Sequence, residues 1–140
     1  MIGKYFAYSA SPSSYNTGLG DITDDITAGA TLGFPNAVVV GPSGTWILAD
    51  ADDAIISKML GIALESKVKT EATKVLLRGF VRDDDWAWGT VGGQVYLGTT
   101  AGALTQTQPS GTDDAVKVVG HATHADRIYF NPETGFITHT

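Results

Sequence analysis

A chain of 140 residues with 43% apolar residues is long enough for one domain with a real core. Its formal net charge of −6 argues against a general nucleic-acid binder, which needs a basic field to displace counterions, and the lack of cysteine excludes a disulfide framework and thiolate chemistry. No apolar run reaches membrane-spanning length, and Tyr and Ser interrupt the N-terminal stretch before a signal-peptide core develops, so the expectation is a soluble protein made in the cytoplasm of its producing cell.

Residues 1–26 place Tyr5, Phe6, Tyr8 and Tyr15 among Ser, Gly, Pro and Asn, without a helical or strand period. This composition predicts an extended arm whose aromatic side chains need a surface on this domain or on a neighbour. These four residues are therefore candidate partner contacts.

From residue 27 to residue 140 the text is β-like, and 17 Gly and 5 Pro supply many turns. "NAVVVG" and "TWILA" flank the turn signal "PSG", with Trp46 and Leu48 on one face of the second strand and Thr45 and Ile47 on the other. "ADADDAIISKML" predicts one short helix, with Asp50 or Asp52 as its N-cap. "KVLLRGFV", "GQVYLG", "GALTQT", "AVKVVGHA" and "RIYFN" predict strands, and "GFITHT" a last strand or a tail. In "RIYF", Ile128 and Phe130 point one way, Arg127 and Tyr129 the other.

Two stretches, about 27–63 and 90–122, share a plan of Thr-x-Gly turn, strand ending in Gly, short polar turn, second strand, connector and a Gly-containing apolar tail. Gly41, Gly44 and Gly61 match Gly98, Gly102 and Gly120, within small changes of loop length. Two similar β-meanders predict a mainly β fold, a small barrel or sandwich in which each half shields the other's apolar face.

The charge is uneven. Residues 58–82 carry Lys58, Lys67, Lys69, Lys74, Arg78 and Arg82 against two Glu, while the flanking segments are each net −5. A solvated basic edge is the simpler reading; a docking band for an acidic partner is the sharper one.

Reactive constellations are sparse. His121 and His124 in "HATH" are three apart but lie at a strand end, with neither a third ligand in pattern nor Cys, and His139 stands apart. "DADD" lacks the Gly and Glu that a calcium loop requires at its sixth and twelfth positions. No phosphate-binding loop or nucleophile elbow occurs. No catalytic residue, metal site or cofactor is expected. "RDDDWAWG" predicts an exposed acidic loop with Trp86 and Trp88 on one side. Anchoring into the core or a subunit interface is favoured for this pair over a sugar-stacking platform, and both are candidate partner contacts.

"TAGATL", "WILADADD", "LGIALES", "VLLRGFVR", "GGQVYLGTTAGALTQTQPSGTDDAVKVVGHA" and "ADRIYFNPE" follow one another between residues 27 and 132. In that order they resemble a family of small head decoration proteins, or capsid cement proteins, of tailed bacteriophages. The resemblance implies a β-rich, non-catalytic protein on the outer surface of an icosahedral virion capsid. Its implied partners are the major capsid protein and copies of itself, commonly as a homotrimer where capsomers meet, and its implied role is to reinforce the expanded shell. Residues 1–26 fall outside the resemblance, and it carries over no site residue. The competing expectation is a host-surface or carbohydrate-binding module of a phage fibre or tail, resting on "DDDWAWG"; an enzyme has little in its favour.

Overall fold

The computed structural model describes residues 17–52, 58–135 and 137–138. Its centre is a curled antiparallel sheet that forms half a barrel. Strand β1 is Thr17–Thr23, β2 Ala37–Val40, β3 Trp46–Leu48, β4 Leu60–Ala63, β5 Val75–Arg82, β6 Gln94–Leu97, β7 Leu104–Thr105, β8 Ala115–Val116, β9 Val118–His124, β10 Arg127–Phe130 and β11 Ile137–Thr138. The main sheet runs β3-β2-β4-β5-β10-β9-β6-β7, with β1 on the other edge of β5. Strand β11 pairs with β8.

The strand β5 organises the fold. One of its edges carries β1 along its whole length, Thr17 opposite Arg82 and Thr23 opposite Val75. The other edge is divided between β4, opposite Val75 and Leu76, and β10, opposite Gly79 to Arg82. Two three-stranded units thus flank β5: β3-β2-β4 pairs with it directly through β4, and β7-β6-β9 joins it through β10. In each, a hairpin is followed by a connector and a third strand against the hairpin's first strand, so that Gly61 lies opposite Val38 and Gly120 opposite Val95.

The first unit has a core on both faces, which explains its unbroken apolar runs. Val38, Trp46, Ala63 and Val75 pack with Ala28 and Leu32 in a small cluster closed by bridges from Thr27, Ala28 and Leu32 to Ala72, Trp46 and Lys67. Their neighbours Ala37, Val39, Ile62 and Leu76 point the other way, into a larger cluster with Val81, Val95, Leu97, Val119, Ala122, Ile128 and Phe130 from the second half. The second half has only this one buried face, and β6 and β10 alternate accordingly.

The expectation of one short helix in "ADADDAIISKML" is corrected: the described residues contain no helix. Asp50 accepts from the Asp52 amide at 3.0 Å, a local side-chain turn at the start of this stretch. Leu60 already belongs to β4, opposite Val39; residues 53–57 lie outside the described set. The arm expected over residues 1–26 does not hold for its described part. Thr17–Thr23 is strand β1, because its glycines let it approach β5 closely despite the lack of an apolar period. Residues 1–16, with Tyr5, Phe6, Tyr8 and Tyr15, lie outside the described residues.

"VYLGTTAGALTQTQP" joins the two units. Gly98 accepts from the Ala51 amide, and Gly102 accepts from Ala37 while donating to Ala49, all within 2.9 Å. Gly102 has φ +82, and a Cβ there would stand 3.1 Å from both Asn36 Nδ2 and Leu48 Cδ2. The hairpin tip therefore requires Gly both for its turn and for its seat on the first unit. The strand ends at Thr105; Gln106 then uses its side-chain amide as a strand would, accepting from Thr90 N at 3.0 Å and donating to Thr90 O at 2.8 Å.

Candidate functional site: an aromatic and arginine face of the sheet

Register places one row of side chains across five strands on the face opposite the larger core. Leu19 lies opposite Phe80, Phe80 opposite Tyr129, Tyr129 opposite His121, and His121 opposite Gln94. Directly opposed residues share a face. The next row, Val81, Ile128 and Ala122, is fully buried on the other side. Phe80 and Tyr129 are half-buried, with ring centroids 4.9 Å apart and planes at 46°. A tilted pair of this kind contributes about 0.5–1.5 kcal/mol beyond area burial. Tyr96 extends the row by donating to Gln94 Oε1 at 3.0 Å.

Arginines frame the aromatic row. Arg82 and Arg127 are direct cross-strand neighbours, a like-charge pairing that is unfavourable alone. Asp126 answers it: its Oδ2 lies 3.3 Å from Arg82 Nε and its Oδ1 3.2 Å from Arg127 Nε. Asp84 Oδ1 accepts from Arg82 Nε at 3.0 Å. On the other flank Arg78 sits opposite Asp21, 3.9 Å apart and largely exposed, so that this pair contributes little to stability. Much of the basic segment 58–82 is thus answered by nearby carboxylates, including Glu65 beside Lys67.

Trp86 and Trp88 are brought together, with centroids 5.2 Å apart and planes at 49°. Both are half-buried and pack against the larger core at the β9–β10 end of the sheet. The acidic loop sets them there. Asp83 is buried and accepts from Asp85 N, while its carbonyl accepts from Trp86 N; Trp88 N donates to Ala125 O. Only Asp84 and Asp85 of the three carboxylates are exposed. The rings form a tilted wedge and do not share one plane.

The two described histidines belong to no metal-ligand cluster. His121 belongs to the outer row, His124 ends β9 with Nδ1 3.2 Å from Thr123 Oγ1, and His139 lies outside the described residues. Among the described residues no group of three or more His, Cys, Asp or Glu could hold a metal ion.

A polar groove of about 340 Å³ runs beside the β6–β7 hairpin, lined by Thr99, Thr105, Thr107, Ser110 and Asp114 among others. At its end Asp114 caps Gly111 N at 2.7 Å and faces Asp52. The hydrogen bond to Asp114, reinforced by the negative charges of Asp114 and Asp50, raises the pKa of Asp52. A raised carboxyl pKa means that the folded state binds the proton more tightly, so this group adds stability as pH falls through its folded value towards the ordinary Asp value of about 3.9. Asp52→Asn is accordingly expected to raise the melting temperature at neutral pH, with the gain shrinking towards pH 4, as thermal unfolding across that range would measure.

Sequence reasoning missed the outer row as a unit, although the alternation in "RIYF" sends Tyr129 and Arg127 to one side. Compared with protein-family models and with curated proteins, the chain matches none.

Proposed function

We propose that this protein is a non-catalytic structural component of a tailed-phage virion that binds the outer surface of the capsid and stabilises the shell. The observation that carries the reading is the open row of Phe80, Tyr129 and Tyr96 framed by Arg78, Arg82 and Arg127. Aromatic residues and Arg are the types enriched where protein interfaces concentrate their energy, and here they stand on a stiff sheet that loses little entropy on docking. The ordered sequence signature between residues 27 and 132 supports the same reading. Repetition by symmetry lets weak contacts act together, which suits association as a homotrimer on the major capsid protein.

The experiment is direct. Purified protein is added to heads that lack it, and bound protein is measured by sedimentation and gel densitometry. Saturable co-sedimentation, with a trimer mass by light scattering, is expected. Failure to bind heads at any concentration would overturn the proposal. The carbohydrate-binding alternative rests on Trp86 and Trp88, whose half-buried tilted rings favour the anchoring role.

A further inference from the structure

We propose that a cleft beside Lys117 is a binding site for an aliphatic carboxylate. The cleft lies where the main sheet parts. Strands β4 and β10 share one edge of β5, and between them Leu77 and Arg78 have no strand partner on that edge among the described residues. Its lining comes from this parting: Lys58, Met59 and Leu60 at the start of β4, Leu77 on β5, Pro132 to Thr134 after β10, and Lys117 between β8 and β9. The volume, about 310 Å³, suits a small ligand or one inserted side chain.

Lys117 gives the cleft its chemistry. The residue is only 2% exposed, although Lys is among the residues least often fully buried. Its Nζ donates to the carbonyls of Glu133 and Gly135. An ammonium has three N–H groups, and the described residues use two of them. Burial lowers the Lys117 pKa, and the charge of Glu133 partly offsets this. A carboxylate in the cleft would take the remaining N–H and favour the charged amine. Beside it, Met59, Leu60, Leu77 and Pro132 offer an apolar lining for a short aliphatic chain. Met59 is unusually open for its type, at 45% exposure. The ligand class follows from the charges: Lys58 and Lys117 against Glu133 leave one net positive charge, which matches a monoanion better than a phosphate.

The carboxylate could be a free small molecule or an acidic side chain of a bound partner, and the test separates the two. The full-length protein is titrated with hexanoate, and with hexanol as the uncharged control, while the methyl resonances of Met59 and Leu77 are followed. Saturable shifts are expected with hexanoate at millimolar concentration, with hexanol at least about tenfold weaker. Lys117→Met should abolish the shifts. Lys58→Gln should weaken binding about threefold, and Glu133→Gln should tighten it, both at exposed positions where the fold is not at risk. Hexanol binding as well as hexanoate, or no shift with hexanoate, would overturn the proposal. In a second arm, hexanoate is added to head-bound protein. Release identifies the carboxylate as the partner's; retention with intact hexanoate binding identifies a free ligand. Only this arm rests on the capsid-binding reading.

Discussion

Gly79→Ala is expected to destabilise the fold by about 2–6 kcal/mol, combining about 1–3 for a backbone conformation that L residues rarely adopt with about 1–3 for overpacking. Gly79 has φ +143 and pairs with Gly20, φ +146, in the antiparallel ladder of β1 and β5. A Cβ on Gly79 would stand 2.1 Å from the Leu19 carbonyl oxygen, and one on Gly20 2.2 Å from that of Arg78. Both obstacles are backbone, so neither can rotate away. The pair lies beside the bulge between Asp21 and Ile22, where the strands bend. Gly89→Ala is the control: nothing lies within 4 Å of a Cβ there, and the substitution should be neutral or slightly stabilising. Urea unfolding of the two variants, compared at equal m-value, measures the difference. A Gly79→Ala protein as stable as the parent would refute the close Gly20–Gly79 approach of β1 and β5.

Trp46→Ala is expected to cost about 3–5 kcal/mol, the range for truncating a buried aromatic side chain. Trp46 is fully buried at the centre of the smaller cluster, and its backbone bonds to Thr27 and Gly29 close that side of the fold. Its Nε1 is buried without a hydrogen-bond partner among the described residues. Trp46→Phe therefore removes an unsatisfied donor along with some volume, and should cost clearly less than Trp46→Ala. Denaturant unfolding checks the order; equal losses would mean that the ring does not fill this core.

These two residues also show what the sequence discloses and what it hides. The strands were legible wherever β-branched and aromatic residues met turn signals, as in "NAVVVG", "TWILA" and "RIYF". The matching glycines of the two hairpins were legible too, because a turn leaves a local mark. The β1–β5 pairing was not: "TGLGDIT" has no apolar period, and its strand character comes from β5, far away in sequence. The helix expected over "ADADDAIISKML" is not borne out among the described residues: residues 53–57 lie outside them, and Leu60, its last residue, is drawn with Gly61–Ala63 into the sheet by pairing with β2 and β5. Lys117 reads as one polar residue in a strand, and nothing local shows that Glu133 and Gly135 close over its amine.

The candidate surface was half legible. The alternation in "RIYF" sends Arg127 and Tyr129 to one side, as strand geometry requires, whereas Trp86 and Trp88 lie in the loop after β5 and pack against the larger core. Phe80 and Tyr129 are distant in sequence and meet only because Arg127–Phe130 pairs with Gly79–Arg82 in one register. A shift by one residue would turn Tyr129 into the core and Ile128 outward.

That register makes the outer row testable as a unit. Phe80→Thr with Tyr129→Thr keeps β propensity while removing both rings from the open face. Occupancy of heads by this double variant, with its fold verified by circular dichroism and urea midpoint, is the most direct measurement of the proposed role. Loss of binding by at least about tenfold in a folded protein is expected, as for removal of two interface anchors. A folded double variant that occupies heads as fully as the parent would contradict the assignment of this face as the capsid contact.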